Sequence, residues 1–171
     1  MARADSVPAP TPAATSGAAG VRLVAMTETE VADFLETVLP SYIAERATAD
    51  HLSSAEAEQA ARAQHAQLLP GGKVGAGHTI AWIAAGEEPV GGVWFFLDTA
   101  SREAFLYNMT IFPQHRRRGY AAAALGLVEQ AARAARCRIL ALNVFAPNAG
   151  ALALYRKLGF TAVSVHMNKV L

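Results

Sequence analysis

The sequence predicts an α/β fold in which a mixed sheet carries helices on both faces. Two observations support this prediction. The predicted elements follow the order β-α-α-β-β-β-α-β-α-β, with antiparallel hairpins first and β-α-β crossovers after them. The chain of 171 residues has the length of one domain, and with 53% hydrophobic and 17% charged residues it can bury a full core.

The chain begins with a stretch, Met1 to Gly20, that is rich in Ala, Pro, Thr and Ser. This composition predicts a disordered tail, so the single domain is expected to span residues 21–171. The apolar run from Val21 to Met26 predicts the first strand. Thr27 then begins a helix, with Glu30 three residues later as in a capping box.

That helix has an apolar face formed by residues at helical spacing. The face consists of Val31, Phe34, Leu35, Val38 and Leu39. Pro40 is expected to interrupt the helix, and Tyr42 to Ala47 is expected to continue as a second short helical piece.

The next helix is capped by Ser53 or Ser54 and runs roughly from Ala55 to Leu69, where Pro70-Gly71-Gly72 ends it. Three predicted strands follow. They are Thr79 to Ala85, Val90 to Leu97 and Ala104 to Phe112.

The second half of the chain continues with a helix from Tyr120 to Arg136 and a strand from Ile139 to Phe145. Asn148 is expected to cap a helix that ends before Gly159. Phe160 to Val170 alternates in part between apolar and polar residues, which predicts a last strand.

Composition excludes several classes of protein. The formal net charge of +1 argues against a dedicated nucleic-acid binder. Cys137 is the only cysteine and the five histidines lack paired metal spacing, so we expect neither a disulfide nor a metal site. The sequence contains no run of about 18 apolar residues, which is the length that a membrane span requires. We expect a cytoplasmic protein.

The most informative segment, Arg116-Arg117-Arg118-Gly119-Tyr120-Ala121, lies between a predicted strand and a predicted helix. Glycine lets the backbone approach a ligand, and a helix start offers N–H groups that lack an internal partner. Because cations at a helix start are unfavourable for the helix dipole, three arginines there call for an anion. The segment therefore predicts a pyrophosphate cradle for a nucleotide-like cofactor.

The segment from Leu106 to Phe160 resembles the acetyl-CoA-binding half of the GCN5-related N-acetyltransferase (GNAT) superfamily. The family's phosphate motif is Gln/Arg-x-x-Gly-x-Gly/Ala, which here reads Arg116 to Ala121. Three further stretches are similar to the family's cofactor-contacting strand and its second half. They are Tyr107 to Pro113, Leu142 to Phe145, and Asn148 with Ala151 to Phe160.

The resemblance implies a mostly antiparallel sheet of six to seven strands flanked by about four helices, binding acetyl-CoA. It implies a cofactor site made by backbone of the contacting strand, the phosphate motif and the start of the last helix. These residues are Met109, Thr110, Ile111, Arg116, Arg117, Arg118, Gly119, Tyr120, Ala121, Ala122, Asn148 and Ala151.

The implied reaction is acetyl transfer from acetyl-CoA to the primary amine of a small molecule or peptide. From its spacing alone, Tyr155 is rather a core aromatic between Leu152 and Leu158. The resemblance instead places Tyr155 beside the cofactor sulfur, where it would protonate the leaving thiolate. Many relatives carry a carboxylate in the stretch aligned to Leu106–Ile111, but this chain has only Asn108 and Thr110 there. Glu103, at the start of the strand, is a candidate base acting through water, although its position favours a solvated charge at a strand end. A water chain ending at backbone carbonyls is the alternative base.

The acceptor pocket is expected to be lined by aromatic residues, although most of these are expected to be core. The candidates are Tyr42, Trp82, Trp94, Phe96, Phe105 and Tyr107. A non-catalytic acyl-CoA-binding module and a structural protein without nucleotide stay open as alternatives. A homodimer also stays open.

Overall fold

The computed structural model describes residues 20–169, which form two compact units. The first contains residues 20–26 and 74–141, and the second contains residues 27–73 and 142–169. Of the expected disordered tail, only Gly20 is among the described residues. The prediction of one domain over 21–171 stays a prediction.

A sheet of five strands, mostly antiparallel, organises the first unit. In the order β1-β2-β3-β4-β5 the strands are Val21–Ala25, His78–Ala85, Glu88–Asp98, Glu103–Ile111 and Ile139–Leu142. The pairs β1–β2, β2–β3 and β3–β4 are antiparallel. The hairpins predicted from the sequence are therefore confirmed.

Two β-bulges interrupt the register of the sheet. Trp94 lies opposite Asn108 while Phe95 lies opposite Leu106, so Tyr107 is an extra residue in β4. In the same way Val90 is an extra residue in β3, between the pairs that Ile83 and Ala84 make with that strand. Bulges re-aim side chains and are common near functional sites.

Helix α3, Tyr120–Ala134, packs against β1, β3 and β4. Its Leu125, Leu127 and Val128 are at most 2% exposed, as are Val93 and Ala104 in the sheet. Burying a side chain such as Leu or Val contributes roughly 1.5–3 kcal/mol relative to leaving it exposed. This apolar layer fixes the start of α3 relative to the end of β4.

The second unit contains helices α1, Glu28–Asp50, and α2, Ser54–Leu68, which pack on each other, and α4, Ala149–Lys157. The expected capping box of Thr27 and Glu30 forms. Of the two expected caps for the next helix, Ser53 is the N-cap, and it forms a second capping box with Glu56. Asn148 caps α4 as predicted, since its Oδ1 accepts the N–H of Ala151 at 3.1 Å.

Two expectations about regular structure are wrong. Helix α1 runs through Pro40 as one helix: its buried residues Phe34, Val38 and Leu39 precede the proline, and beyond it Tyr42 and Arg46 bond to Gln64 on α2. Pro40 lacks only the N–H that would reach the carbonyl of Glu36. The sixth strand is also missing, since residues 160–169 form neither strand nor helix, and Val170 lies outside the described residues.

Candidate active site

The start of α3 presents backbone donors without a capping side chain. Gly119 is the N-cap residue, with φ of 83° and ψ of −2°, and no side chain bonds to this helix end. The bond from Ala123 N to the Gly119 carbonyl, 3.1 Å long, closes the first turn. Ala123 is therefore the first residue whose N–H bonds within the helix. The N–H groups of Tyr120, Ala121 and Ala122 come before it and, as at the start of any helix, have no acceptor within the helix.

The three arginines before this helix are exposed, and none of them makes an ion pair with any residue in the described range 20–169. Arg116 Nε donates to the Ile111 carbonyl at 3.0 Å, which ties this side chain to the end of β4. Arg117 has φ of 63°, an uncommon conformation for a residue with a side chain. Positive charge and free donors thus meet at one end of α3, an arrangement that suits an anion.

Strand β4 carries the expected cofactor-contacting residues just beyond its bulge. Met109, Thr110 and Ile111 are half-buried. The Thr110 hydroxyl donates to Asn108 Oδ1 at 3.0 Å, so both polar side chains are engaged with each other. A Cβ added to Gly91 would collide with the Thr110 carbonyl oxygen, so β3 approaches β4 very closely here.

In the second unit, Asn148 joins the start of α4 to α1. Its Nδ2 donates to Glu45 Oε1 at 3.2 Å, while its Oδ1 caps the helix. Ala151 and Tyr155 come three and seven positions after Asn148, so they lie on the same face of the helix as Asn148. The structure therefore groups Asn148, Ala151 and Tyr155 around one face of α4, with Glu45 beside it.

Tyr155 is a half-buried phenol whose ring lies 5.5 Å from that of Phe160. Burial raises the pKa of Tyr155 above its ordinary value, and the negative charge of Glu45 raises it further. The hydroxyl therefore stays protonated across the neutral range and can donate a proton. The ring packing agrees equally with a role in the core.

Glu103 is the first residue of β4 and lies opposite Asp98. A strand rises about 3.3 Å per residue, which separates Glu103 from Thr110 by roughly 20 Å along β4. Within the first unit, the carboxylate is therefore remote from the backbone at Met109 to Ile111. Any proton transfer from that region to Glu103 would need a chain of water molecules.

Four of the expected acceptor-lining aromatic residues gather on one face of the sheet. Phe96 lies opposite Phe105. The ring centroid of Tyr107 lies 4.9 Å from the ring centroid of Trp94 and 4.8 Å from that of Phe105. Trp94 is only 2% exposed, which makes it a core residue, as expected for most of this set. Trp82 contacts Phe112 in the same unit, whereas Tyr42 lies on α1 and contacts Phe145.

The sequence analysis missed two residues of these clusters. His78 packs 4.6 Å from Phe96, and its Nδ1 accepts a bond from Trp94 Nε1. Glu45 contacts Asn148, a residue that is 103 positions away in the chain. Neither contact has a local sequence signal, because helical or strand periodicity reports only the face on which a residue lies.

Within residues 20–169, no group of three or more His, Cys, Asp or Glu side chains is placed to hold a metal ion. Over the same range, no helix is long and apolar enough to cross a membrane.

Comparison with known proteins adds three findings. A family model described as the acetyltransferase (GNAT) family matches residues 39–160. The Bacillus subtilis proteins YdgE and YycN, each named as an uncharacterized N-acetyltransferase, are 28% and 30% identical to this chain. The alignments cover 85% of this chain and 95% of YdgE, and 88% of this chain and 99% of YycN.

The crystal structure of YycN superimposes on this fold with a TM-score of 0.82, covering 88% of this chain and 98% of YycN. A variant of BH1408 from Bacillus halodurans reaches a TM-score of 0.62 at 17% identity, covering 88% of this chain and 98% of that protein. At that identity the similarity shows the fold alone.

Proposed function

The chain belongs to the GNAT acetyltransferase family, and from that membership we propose that it moves an acetyl group from acetyl-CoA to the primary amine of a small molecule or peptide. The amine attacks the thioester directly while both substrates are bound. The cytoplasmic location expected from the sequence is part of this proposal.

The observation that carries the proposal is the start of α3. Its first N–H groups, which follow the αL residue Gly119, would bind the pyrophosphate of acetyl-CoA. The exposed guanidinium groups of Arg117 and Arg118 would add charge-assisted bonds to the pyrophosphate or the 3′-phosphate. Arg116 would act mainly by holding the connection to β4 through the Ile111 carbonyl.

The pantetheine arm would lie along the backbone of Met109 to Ile111, in the manner of an added strand. Asn148 and Ala151 would contact it from α4. One hydrogen of the Asn148 amide donates to Glu45, so its second hydrogen is the one available to the cofactor.

In the reaction, the amine nitrogen bonds to the acetyl carbon and the carbon–sulfur bond breaks. A backbone N–H between Met109 and Ile111 would stabilise the negative charge on the carbonyl oxygen; removing such a donor typically costs about 10²–10³-fold in rate. The departing thiolate takes a proton from Tyr155. The raised pKa of Tyr155 keeps the hydroxyl protonated at neutral pH, and the proton that the amine releases would restore the phenol through solvent after the transfer.

The amine must lose a proton before or during attack. Glu103 through a chain of waters remains the proposed base, and a water chain ending at backbone carbonyls is the alternative. The absence of a carboxylate from Leu106 to Ile111 also favours a second candidate function, a non-catalytic acyl-CoA-binding module.

A thiol-release assay with acetyl-CoA and a panel of amines tests the proposal, with calorimetry of acetyl-CoA binding beside it. We expect binding, and thiol release that depends on the amine. Binding without amine-dependent release from any amine would favour the binding module. Failure to bind acetyl-CoA would exclude both functions.

A further inference from the structure

A carboxylate on α1 lies beside the proposed acid within the second unit. Glu45 is half-buried, and its Oε1 accepts a bond of 3.2 Å from Asn148 Nδ2. The negative charge of Glu45 also acts on the hydroxyl of Tyr155, whose pKa it raises. Among residues 20–169, no cation forms an ion pair with Glu45 and no donor bonds to its Oε2.

The cation nearest to Glu45 in the sequence is engaged elsewhere. Arg46 Nε lies 3.3 Å from Asp50 Oδ2, and Arg46 Nη1 donates to Gln64 Oε1 on α2 at 3.2 Å. Successive residues of a helix point about 100° apart, so Arg46 faces away from Glu45. One neutral amide compensates a half-buried charge only in part. The position therefore suits a cation that is supplied from outside the chain.

A second contact joins the same two segments one helical turn away. Tyr42 comes three residues before Glu45 on α1, and Phe145 comes three residues before Asn148. The ring centroids of Tyr42 and Phe145 are 5.8 Å apart. Residues three apart on a helix are neighbours on its surface, so the carboxylate and an aromatic pair lie side by side. A ligand bound there would meet one charged group and one apolar surface.

The proposed reaction needs a base and an acid close together. The amine nitrogen and the departing sulfur are both bonded to the acetyl carbon during the transfer. The group that takes a proton from the nitrogen must therefore lie near the group that protonates the sulfur. Glu45 meets this condition with respect to Tyr155, whereas Glu103 would act only through a chain of water molecules.

We propose that the Glu45 carboxylate binds the ammonium group of the acceptor and takes its first proton, an inference that rests on the proposed acetyltransferase function. The neutral nitrogen then bonds to the acetyl carbon, the carbon–sulfur bond breaks, and the thiolate takes the proton of Tyr155. The second proton of the nitrogen restores Tyr155 through solvent. The first proton leaves Glu45 for solvent, so each turnover releases one proton.

The same carboxylate determines which amines are accepted. In a free amino acid, a second carboxylate lies next to the amine and would be repelled by Glu45. An amino acid amide carries the same amine and side chain without that charge. The acceptor class is therefore an amine with no adjacent carboxylate, such as an alkyl amine or the N-terminus of a peptide.

Two series of acceptors test the proposal. One contains phenethylamine, phenylalaninamide and phenylalanine, and the other contains the corresponding three compounds of leucine. In the wild type, kcat/KM for the first two compounds of a series should exceed that for the free acid by at least about tenfold. Glu45→Gln should lower kcat/KM for the uncharged analogues by at least about 10²-fold and reduce the preference over the free acid. Asp33→Asn removes an exposed charge from the same helix and should retain both values.

Calorimetry with acetyl-CoA separates the possible failures. Affinity and melting temperature should stay close to wild type in Glu45→Gln, because the amide oxygen can still accept the bond from Asn148. If the wild type transfers acetyl groups and Glu45→Gln keeps the same rate and preference, this inference is wrong and the proposed function stands. If acetyl-CoA binds but none of the compounds or amines is acetylated, the proposed function and this inference are both overturned.

Discussion

Trp94 Nε1 on β3 donates a hydrogen bond of 3.1 Å to His78 Nδ1 on β2. An indole N–H can only donate, so Nδ1 must accept, and the neutral His78 carries its proton on Nε2. Protonating His78 would require this bond to break. Burial among Phe96, Tyr107 and Trp94 also lowers the pKa of His78 below its ordinary value of 6.5.

This relationship predicts a pH-dependent stability. The unfolded chain binds a proton at His78 more readily than the folded chain, so the free energy of unfolding should decrease as the pH falls below 6.5. His78→Gln keeps an acceptor for Trp94 and does not titrate, so it should reduce this slope. The pKa of His65 is also lowered, so part of the slope should persist. Urea unfolding at pH values on both sides of 6.5 measures the effect, and identical slopes in both proteins would contradict it.

Gly119 provides a second prediction, about cofactor affinity. A Cβ added at this residue meets nothing within 4 Å, so the chain itself leaves the space open, and the φ of 83° is the remaining constraint. Asn tolerates this conformation far better than Val does. If the backbone must approach the pyrophosphate, both Gly119→Val and Gly119→Asn should weaken acetyl-CoA binding by at least about tenfold, equivalent to about 1.4 kcal/mol. Only the valine variant should also lose stability. Titration calorimetry with unchanged affinity in both variants would refute the cradle.

Tyr155→Phe tests the proposed acid. The change removes one oxygen and keeps the ring against Phe160, so the fold should persist. Turnover should fall about 10²-fold, the low end of the effect of a positioned acid, while acetyl-CoA affinity stays nearly constant. A purely structural tyrosine would instead lower the melting temperature and leave turnover within about twofold of wild type.

Glu45→Gln tests the electrostatic coupling in the second unit. The amide oxygen can still accept the bond from Asn148, but the negative charge is gone. The pKa of Tyr155 should therefore decrease, while remaining above the ordinary value of 10.0 because burial is the larger cause of its shift. Ultraviolet titration of the phenol, with Tyr155→Phe subtracted, measures the change. A pKa that does not move would show that Glu45 does not act on Tyr155.

Gly91→Ala tests the close approach of β3 and β4. The new methyl group would collide with the Thr110 carbonyl and force the strands apart beside the expected cofactor backbone. We expect a loss of stability of roughly 1–3 kcal/mol, as for overpacking elsewhere, and weaker cofactor binding. Gly126→Ala is the matched control, since nothing lies within 4 Å of its added Cβ. In the middle of α3 that change should stabilise the protein by roughly 0.5–1 kcal/mol. Equal melting temperatures for the two variants would contradict this account.

Features encoded within a few residues could be predicted from the sequence. The capping box of Thr27 with Glu30, the cap at Ser53 and the cap at Asn148 all act over three positions, and all three are confirmed. The antiparallel pairing of β2 with β3 and of β3 with β4 also followed from short connections along the chain. Pro40 was misleading because local propensity cannot report how strongly the buried face of α1 favours a continuous helix.

The features that the sequence did not predict correctly depend on contacts between residues that are distant in the chain. A strand exists only when another strand pairs with it, so the alternation after Phe160 was insufficient to define one. The contacts of Glu45 and His78 are set by the packing of separate elements. The cofactor residues were predicted from family resemblance, and their roles stay predictions.

The connection between β1 and β2, which contains helices α1 and α2, begins and ends at neighbouring points of the sheet. Met26 N donates to the Ile80 carbonyl at 3.3 Å, and Ala25 lies opposite Ala81. Because the β1–β2 pairing already closes this loop, doubling the length of the intervening chain would add only about 0.6 kcal/mol of closure entropy. The entropy of closing the connection between β1 and β2 therefore sets only a weak limit on how long that connection can be.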